Sequence, residues 1–428
     1  MKSVIQPVKG TRDFYPEQMA IRNWLYETVR YVSESFGYQE YEAPILESLE
    51  LYAAKSGEEL VKEQSYVFLD RGGSQITLRP ELTPSLARMI AQKQDELTFP
   101  VRWWSFGPFW RYERPQKGRT REFFQWNVDI LGADSPEADA ENVAVLATFF
   151  KRVGLNPAQV LIFVNNRRLM DAQFDLLGLS KVIRPVISGW IDRRGKMPVD
   201  AWEINGKELG LTSSQLKNLI SILDDKELWK KSEELTRFFS AVEALGVGEY
   251  THFDASIVRG LQYYTGTVFE AWEVGGDIKR SILGGGRYDN LLADVGGDRL
   301  AGTGFAMGDV VISLLLQQYD LLPNTLSINP ASVLVTVFDK ERLLNSFNLA
   351  KELREAGLKV AIYPEPAKLS KQFKYADRIK ARVTIVVGPE EATKNMVTIK
   401  DLLNGSQITV HRANVIQAIR LILETNSS

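Results

Sequence analysis

A long β-hairpin pattern from Arg102 to Leu131 limits the possible folds of this chain more than any other segment. Its arms are RWWSFGPFWRYE and REFFQWNVDIL, and a basic loop, RPQKGRT, joins them. Successive side chains of a strand point to opposite faces, so the second arm divides into two sets. The apolar set, Phe124, Trp126, Val128 and Ile130, is predicted to pack on a core; Phe123, Gln125, Asn127 and Asp129, with Arg121, are predicted to form a polar platform.

Helical and strand-like segments surround this hairpin. Residues 17–35, 83–94 and 134–153 read as helices, and 169–245 is rich in helical spacing with no long strand signal. Strand patterns return at SIVRGLQYYTGTVFEAW, KRSILGGGRYD and GTGFAMG, before a hydrophobic helix, VVISLLLQQ. The body is therefore predicted to be α+β, a mostly antiparallel sheet with flanking helices and a helical insertion at about 169–245.

The pattern changes beyond Pro323. The polar stretch NTLSINPAS is predicted to be a linker, and after it strands and helices alternate from ASVLVTVFD to RVTIVVG. Such alternation is typical of a small parallel or mixed α/β sheet. We therefore predict two domains, at residues 1–325 and 331–428.

The chain of 428 residues has no cysteine and only two histidines, His252 and His411. A disulfide, a cysteine nucleophile, an iron–sulfur cluster and a thiolate zinc site are thereby excluded, as is a multi-histidine metal site. We expect any catalysis to depend on carboxylates, guanidinium groups and the backbone. His252 is predicted to be structural, and His411 is predicted to lie in the final helical region, on the surface or with a role in the fold.

Charge is unevenly distributed, although the net charge is only −2. Residues 331–428 carry 15 Lys and Arg against 10 Asp and Glu, whereas the other residues carry 37 against 44. An acidic body with a basic C-terminal domain is common in enzymes that bind a polyanion, and an ordinary solvated basic surface is the equally weighted alternative.

A basic helix is the clearest feature of this C-terminal domain. If KLSKQFKYADRIKAR is helical, five cations fall within a stripe about 120° wide. These are Lys368, Lys371, Lys374, Arg378 and Arg382. One-sided positive charge suits contacts with backbone phosphates, and a solvated helix face is the alternative.

The N-terminal sequence MKSVIQPVKGTRDFYPEQ lacks the apolar region of a secretory signal. No run of apolar residues reaches the ~18 that a membrane span needs. Together with the absence of cysteine, this predicts a cytoplasmic protein without a membrane partner.

Three constellations of polar residues are candidates for a site. From Arg111 to Glu122 the hairpin tip carries five cations and two acidic residues, which predicts either an anion site or an ordinary charged surface hairpin. The segment LRPELTPS supplies Arg79, Glu81 and Thr83, and VRGLQYYTGTVFE supplies Arg259, Tyr263 and Tyr264. Carboxylates for an ammonium group, arginines for an anion and tyrosines around a polar ring predict an amino acid bound beside a phosphate.

The glycine clusters do not fit a nucleotide-binding motif. GGGR at 284–287 and GTGFAMG at 302–308 depart from G-x-G-x-x-G, since Met307 stands at the third glycine position. No segment matches a P-loop. We predict that these glycines permit tight turns and close backbone approach to a ligand.

Six segments together resemble the histidyl-tRNA synthetases, a family of class II aminoacyl-tRNA synthetases. They are GTRDFYP, LRPELT, FWRYERPQKGRTREFFQWNVDILG, VRGLQYYTGTVFE, GGGRYDNL and GFAMG, in the order of that family. The basic tail is similar to the anticodon-binding domain of the family. The resemblance implies a cytoplasmic homodimer, with dimer contacts around Pro44, that activates histidine with ATP and Mg²⁺ and transfers it to the 3′ end of tRNA(His).

The same resemblance implies roles for individual residues. Arg111 and Arg259 would be catalytic, beside the α-phosphate. Histidine would be bound by Glu81, Thr83, Gln125, Asp129, Tyr263, Tyr264 and Tyr288, and ATP by Arg111, Glu113, Arg119, Phe123 and Arg259. Arg114 and Gln116, with Lys371, Lys374 and Arg378 of the tail, would contact tRNA; no residue is assigned to a resident metal.

Two positions depart from the family pattern. The family usually continues Gly-Leu-Glu-Arg, with an arginine that packs on ATP, where this chain has Gly308, Asp309, Val310 and Val311. Gln262 replaces the usual Asp. Either ATP is held differently, with a metal at Asp309, or its binding is weakened.

These departures leave other functions open. The first alternative is the synthetase-like regulatory subunit of ATP phosphoribosyltransferase, which performs no aminoacylation. Arg259 and the C-terminal domain favour the synthetase over this subunit. A non-enzymatic RNA-binding protein ranks third, because Glu81 and Asp129 would have no function in it.

Overall fold

The computed structural model describes residues 4–53, 63–258, 264–278, 280–323, 326 and 329–425. The chain separates into two compact units, Met1–Asn324 and Thr325–Ser428.

The first unit contains eleven α-helices and eleven strands in its described residues. Its helices are α1 (Pro16–Ser35), α2 (Leu49–Ala53), α3 (Thr83–Gln92), α4 (Pro136–Arg152), α5 (Arg167–Leu176), α6 (Arg184–Ile191), α7 (Val199–Glu208), α8 (Ser213–Asp224), α9 (Glu233–Ala244), α10 (Leu291–Asp294) and α11 (Asp309–Gln318). Its strands are β1 (Gln39–Glu40), β2 (Leu46–Ser48), β3 (Tyr66–Leu69), β4 (Gln75–Leu78), β5 (Val101–Trp110), β6 (Glu122–Leu131), β7 (Val160–Asn166), β8 (Thr251–Phe253), β9 (Thr267–Glu273), β10 (Ser281–Tyr288) and β11 (Gly302–Gly308).

An eight-stranded sheet forms the centre of this unit, in the order β1-β5-β6-β11-β10-β9-β7-β8. All pairs from β5 to β7 are antiparallel, and only the edge pairs β1–β5 and β7–β8 are parallel. A small antiparallel sheet, β2-β4-β3, lies outside it. The predicted α+β class, with a mostly antiparallel sheet, is confirmed.

The apolar face of the predicted hairpin lies in the main core. Trp126, Val128 and Ile130 are fully buried in one cluster with apolar residues of α1 and α4. Helix α4 begins where the sequence provides a start signal, because the Ser135 side chain accepts a hydrogen bond from Ala138 N and Pro136 occupies the first turn. Packing of α1 and α4 on this face leaves the opposite face of the sheet for the site.

The predicted helical insertion consists of α5 to α9. Trp190 and Trp202 stack at its centre with ring centroids 3.9 Å apart. Each indole N–H donates to the other residue's carbonyl oxygen at 2.9 Å, which satisfies both buried donors. Strand β7, immediately before the insertion, was not predicted from the sequence.

The second unit has five strands and four α-helices in its described residues. The strands are β12 (Val333–Val335), β13 (Val360–Ile362), β14 (Val383–Val386), β15 (Met396–Asp401) and β16 (Gln407–His411); the helices are α12 (Leu343–Glu355), α13 (Leu369–Arg378), α14 (Pro389–Thr393) and α15 (Val415–Glu424). The sheet order is β13-β12-β14-β15-β16, with β12 parallel to both neighbours and the other pairs antiparallel. The predicted mixed α/β sheet is confirmed.

Both histidines lie on strands. His411 is the last residue of β16, opposite Met396 of β15, so its placement in the final helical region was wrong. The alternating run Gln407–Val410 pairs with β15 along its whole length, and the helix begins only at Val415. His252 is exposed on the edge strand β8. Among the described residues, no helix is both long and apolar enough to cross a membrane.

Candidate active site

A cavity of about 220 Å³ lies over the centre of the large sheet. Its floor is made of small residues, because Gly304 and Ala306 of β11 and Gly284 of β10 line it. Polar side chains stand on the flanking strands, where Asn127 of β6 pairs with Ala306 and Glu270 of β9 pairs with Gly284. The glycine clusters therefore create the space above the sheet, in agreement with their predicted role of allowing close approach.

Among the glycines that line this cavity, Gly304 leaves the least space for a side chain. A Cβ atom there would lie 2.1 Å from Asp129 Oδ1 and 2.6 Å from the Val128 carbonyl oxygen. The carboxyl group of Asp129 thus lies directly over the backbone of the neighbouring strand. Only glycine allows this approach.

Asp129 is a buried acid of the cavity. The side chain is 3% exposed, and burial raises the pKa of its carboxyl group to about 7. Tyr288 OH donates to Asp129 Oδ1 at 2.5 Å, which lowers that pKa but offsets the burial only in part. The carboxyl group of Asp129 is therefore harder to ionise than a free one, and it lies inside the cavity beside a tyrosine hydroxyl.

The turn between β4 and α3 closes one side of the cavity. Glu81 is buried and Thr83 is the first residue of α3; both line the cavity. Tyr264, just before β9, lines it as well, and burial, followed by the charges of Glu81 and Asp129, raises the pKa of its hydroxyl. Six of the residues predicted to bind histidine line this one cavity: Glu81, Thr83, Gln125, Asp129, Tyr264 and Tyr288.

A second cavity of about 230 Å³ adjoins the first. All four described residues of the predicted ATP set line it, namely Arg111, Glu113, Arg119 and Phe123. Four residues line both cavities: Arg111, Gln125, Gly284 and Ala306. The two spaces are therefore neighbours over one stretch of sheet, and Arg111 lies at their boundary.

Arg111 is held in place by the chain around it. Its Nε donates to the Pro80 carbonyl oxygen at 3.0 Å, and its guanidinium carbon lies 5.4 Å from the centre of the Phe123 ring. These contacts use one of the five donors of the group. A planar cation fixed between two cavities is suited to an anionic group that spans both.

The loop at the hairpin tip separates two kinds of predicted residue. Arg119 Nε lies 2.6 Å from Glu113 Oε2, inside the lining of the second cavity. Arg114 and Gln116 are exposed and belong to the lining of neither cavity. Their predicted contact with tRNA stays a prediction, and their exposure is compatible with it.

Some predicted residues need correction or lie outside the described part of the chain. Arg259, Gln262 and Tyr263 belong to residues 259–263, outside the described ranges. Arg121 does not join the polar platform, since its Nε donates to the Glu113 carbonyl oxygen and its guanidinium lies over the Tyr112 ring.

Arg79 is also a structural residue. Its side chain is fully buried, and it donates to Glu42, to the Ala43 carbonyl oxygen at 2.8 Å and to the Pro108 carbonyl oxygen at 2.9 Å. These bonds hold the start of the β4–α3 turn against β5. Glu81 and Thr83, which line the cavity, follow closely on this anchored residue.

Asp309 proves to be a clamp between three segments. Arg12 Nη2 donates to its Oδ2 at 2.8 Å, and Phe124 N donates to its Oδ1 at 2.9 Å. Burial raises the pKa of Asp309, and Arg12 is the largest opposing influence. Both oxygens are engaged within the protein, so we assign Asp309 to joining GTRDFYP, β6 and α11 rather than to a metal site.

Sequence reasoning missed the function of Arg287 in the GGGR segment. Its guanidinium donates to Asp139 at 2.9 and 3.2 Å and to the carbonyl oxygens of Ala133 and Ser135. Asp289 lies on its other side at 3.5 Å. This buried network fixes the end of β10, next to Tyr288, and only its position between a glycine run and a tyrosine could have indicated it.

A larger cavity, of about 750 Å³, lies between α5, α6 and residues 257–258. Its charged lining is mixed in sign, with Arg167, Lys181 and Arg184 against Asp171 and Asp192. Arg184 is already paired with Asp171 and Asp175. The chemistry of the smaller cavities, not volume, therefore defines the candidate active site.

The predicted basic helix of the second unit is shorter than expected. Helix α13 ends at Arg378, and Lys380 has a positive φ of 54°, which stops the helix. Arg382 therefore leaves the predicted stripe and pairs with Asp401 at 2.6 Å. Lys371, Lys374 and Arg378 remain exposed on α13.

Comparisons with known proteins agree with this geometry. Residues 10–309 match the family model described as histidyl-tRNA synthetase, and residues 332–421 match that of the anticodon binding domain. The chain belongs to the histidyl-tRNA synthetase family. The family expected from the motifs is thereby confirmed.

Individual relatives cover nearly the whole chain. Histidine–tRNA ligase, chloroplastic/mitochondrial, of Arabidopsis thaliana is 40% identical over 95% of this chain and 85% of its own. Histidine–tRNA ligase of Leptospira biflexa is 35% identical over 98% of both chains. These relatives confirm the ligase function that the motifs imply.

Solved structures extend the comparison to the fold. The crystal structure of histidyl-tRNA synthetase from Nostoc sp. PCC 7120 superposes with a TM-score of 0.80 at 28% identity, over 98% of this chain and 100% of that one. An ATP phosphoribosyltransferase regulatory subunit/histidyl-tRNA synthetase from Bacillus halodurans has a TM-score of 0.73 at 22% identity, over 88% of this chain and 97% of that one. The second likeness shows the fold alone, so the regulatory function stays the weaker alternative.

Proposed function

We propose that the cavity of about 220 Å³, which contains Asp129, binds histidine. The adjoining cavity of about 230 Å³, which contains Phe123, would bind ATP. A carboxylate oxygen of histidine then attacks the α-phosphorus of ATP, and pyrophosphate leaves. In a second step the terminal ribose hydroxyl of tRNA(His) attacks the carbonyl carbon of the adenylate, and AMP leaves. Neither step needs a side-chain nucleophile, because orientation and charge stabilisation supply the acceleration.

The position of Arg111 carries this proposal. It lines both cavities, so a guanidinium lies where the carboxylate of one substrate would meet the α-phosphate of the other. Negative charge increases on the oxygens of that phosphate as the bond forms. Arg111 would stabilise this charge, and Arg259 is assigned the same function from the family resemblance.

The cavity walls support a division of roles among the other residues. Asp129 and Gln125 would accept from the imidazole and amino groups of histidine, with Glu81 and Thr83 at the opposite side. Tyr264 and Tyr288, together with Tyr263, would border the ring. In the second cavity Phe123 would stack under adenine, while the Glu113–Arg119 pair would lie beside the phosphates.

Aminoacyl-tRNA synthetases use ATP, generally with Mg²⁺. Among the described residues, no three His, Asp or Glu side chains are grouped so as to hold a metal ion. Mg²⁺ prefers a site made of one or two carboxylates and substrate phosphates. We therefore propose that Mg²⁺ enters as its ATP complex.

The homodimer is a further part of the proposal. Near Pro44, the small sheet and the residue before it expose several apolar side chains, and exposed apolar surface is typical of an interaction site. They are Ile45, Leu46, Val67, Phe68 and Leu69. A sedimentation velocity experiment that gives the mass of one chain at micromolar concentration would contradict the dimer. The cytoplasmic location stays a prediction from the sequence.

Histidine-dependent exchange of pyrophosphate into ATP tests the activation step. The wild-type protein should exchange, and Arg111→Gln should lower the rate by roughly 100-fold or more, as expected for loss of a group that stabilises the transition state. Arg114→Gln is the matched control, because this exposed arginine of the same loop is assigned to tRNA. Its exchange should be unchanged while aminoacylation falls.

A folded wild-type protein that gives no exchange at saturating histidine and ATP would refute the ligase activity. That result would favour the regulatory function. Equal losses in the two arginine variants would refute the assignment of Arg111 to the phosphate.

A further inference from the structure

The cavity proposed for ATP is charged on one side and apolar on the other. Arg111 and Arg119 line it from the hairpin, and Arg119 is already paired with Glu113. Val310 and Val311 of α11 supply an apolar part of the lining, and Val311 lies near Gly118 of the hairpin loop. A triphosphate carries several negative charges, so a cation on the valine side would complete the site.

Arg280 lies at that side of the cavity. It immediately precedes Ser281, which lines the cavity as the first residue of β10. A Cβ atom added to Gly118 would lie 3.4 Å from Arg280 Cδ, 3.8 Å from Arg280 Nε and 3.8 Å from Val311 Cγ2. The side chain of Arg280 therefore runs beside Val311, under the turn of the hairpin loop.

This turn depends on glycine. Gln116 and Arg119 exchange two backbone hydrogen bonds, of 2.8 and 3.0 Å, and Gly118 between them has φ +79°. The absence of a side chain at Gly118 lets the loop lie against Arg280. Arg280 itself is not part of the cavity lining, but Ser281 beside it, and Gly118 and Val311 against it, are, so the arginine lies just behind that lining.

Arg280 also lacks an acidic partner in the described part of the chain. It is half-buried, and none of the described ion pairs or side-chain hydrogen bonds involves its guanidinium. Glu273, the acid at the end of β9, accepts from Ile278 N, Gln318 and Tyr319 instead. A partly buried cation is more stable with an anion beside it, and a bound phosphate would supply one.

We propose that Arg280 binds the polyphosphate of ATP from the valine side. This inference rests on the proposed function and deepens it. The family resemblance places an arginine at the position of Val311; here the side chain of Arg280, just before β10, lies beside Val311. Apolar residues at Val310 and Val311 are then compatible with ATP binding, because the cation comes from another strand.

Four variants test the proposal. Arg280→Ala removes the cation, Arg280→Lys keeps the charge without the planar fork, and Arg280→Ala with Val311→Arg returns the cation to the α11 wall. Arg299→Ala is the control. Arg299 is an exposed arginine just before the first residue of β11, whereas Val310 and Val311 follow the last residue of that strand. The measurements are KM for ATP and for histidine in pyrophosphate exchange, and Kd of ATP by calorimetry.

Arg280→Ala should raise KM and Kd of ATP by roughly tenfold or more, as for loss of a charged hydrogen-bonding partner. The KM of histidine should change by less than about twofold, because the histidine cavity keeps all its groups. Arg280→Lys should be intermediate, and Arg280→Ala with Val311→Arg should recover most of the affinity. If Arg280 had only a structural role, an arginine at position 311 would not restore ATP affinity. Its loss would also affect the KM of both substrates and not that of ATP alone.

ATP binding within twofold of wild type in Arg280→Ala would overturn the proposal, as would equal rises in both KM values or no recovery in the double variant. Calorimetry separates this inference from the proposed function. If wild-type protein binds ATP but does not exchange pyrophosphate, the ligase activity fails, and the Kd comparison still decides the function of Arg280.

Discussion

At the residue scale, Asp129 combines a fully buried carboxyl group with a hydrogen bond from Tyr288. Its pKa is raised from 3.8 to about 7 in the folded protein. A raised carboxyl pKa means that ionisation opposes folding, so the contribution to stability is complete below the unfolded pKa and is lost as pH rises to about 7. Ionised Asp129 therefore lowers the stability of the substrate-free protein, and hydrogen bonds from bound histidine would stabilise the ionised form.

Asp129→Asn should accordingly stabilise the substrate-free protein, by at least about 2 kcal/mol more at pH 8 than at pH 5. The same variant should bind histidine more weakly, because an amide cannot accept as the carboxylate does. Denaturant unfolding at the two pH values measures the first effect, and KM of histidine at pH 8 measures the second. Equal stabilisation at both pH values would show that Asp129 does not titrate in this range.

Much of the histidine site could be predicted from the sequence, because alternation along β6 places Gln125 and Asp129 on one face. Glu270 and Arg287 could not be predicted. Their positions beside the cavity depend on the order of the strands in the sheet. Strand β9 is separated from β6 by β11 and β10, and the sequence does not show this order. Arg280 could not be predicted either, because its proximity to Val311 arises from the fold and not from spacing in the chain.

At the scale of elements, Arg287 joins the end of β10 to the start of α4. It is 3% exposed, and its partner Asp139 is 1% exposed. Removing one member of a buried ion pair leaves the other charge uncompensated. Burial already raises the pKa of Asp139, and Arg287 provides the largest opposing effect.

Arg287→Met should therefore lower the free energy of unfolding by about 3–5 kcal/mol. Arg102→Met is the control, because Arg102 pairs with Glu141 while both side chains stay partly exposed. That variant should lose about 1 kcal/mol or less. Urea unfolding of both variants measures the difference, and similar losses would contradict the function of Arg287 as a buried junction.

Other elements show where sequence patterns reach their limit. The hairpin and α4 were predicted closely, since long alternation and a Ser–Pro helix start are local signals. The end of α13 was not, because the basic stripe continues past Lys380 in sequence while the backbone there leaves the helix. Pairing of Arg382 with Asp401 of β15 is a tertiary contact that helical periodicity does not contain.

At the scale of the whole molecule, the chain has an acidic body and a basic second unit, whose α13 exposes Lys371, Lys374 and Arg378. Their predicted function is contact with the phosphates of tRNA. Such contacts are long-range and screened by salt, and each releases bound counterions from the nucleic acid. The amino-acid activation step involves no RNA, so the two functions can be separated by experiment.

Reversal of all three charges on α13 to Glu should weaken tRNA(His) binding and reduce the slope of log Kd against log salt by about 2–3. Pyrophosphate exchange should stay at the wild-type rate, because the catalytic cavities lie in the other unit. A matched control reverses three exposed lysines elsewhere in the same unit: Lys340, Lys351 and Lys359. If both triple variants lose the same affinity and slope, the net charge of the unit and not the α13 surface attracts the RNA, since a specific contact surface would respond only to its own residues.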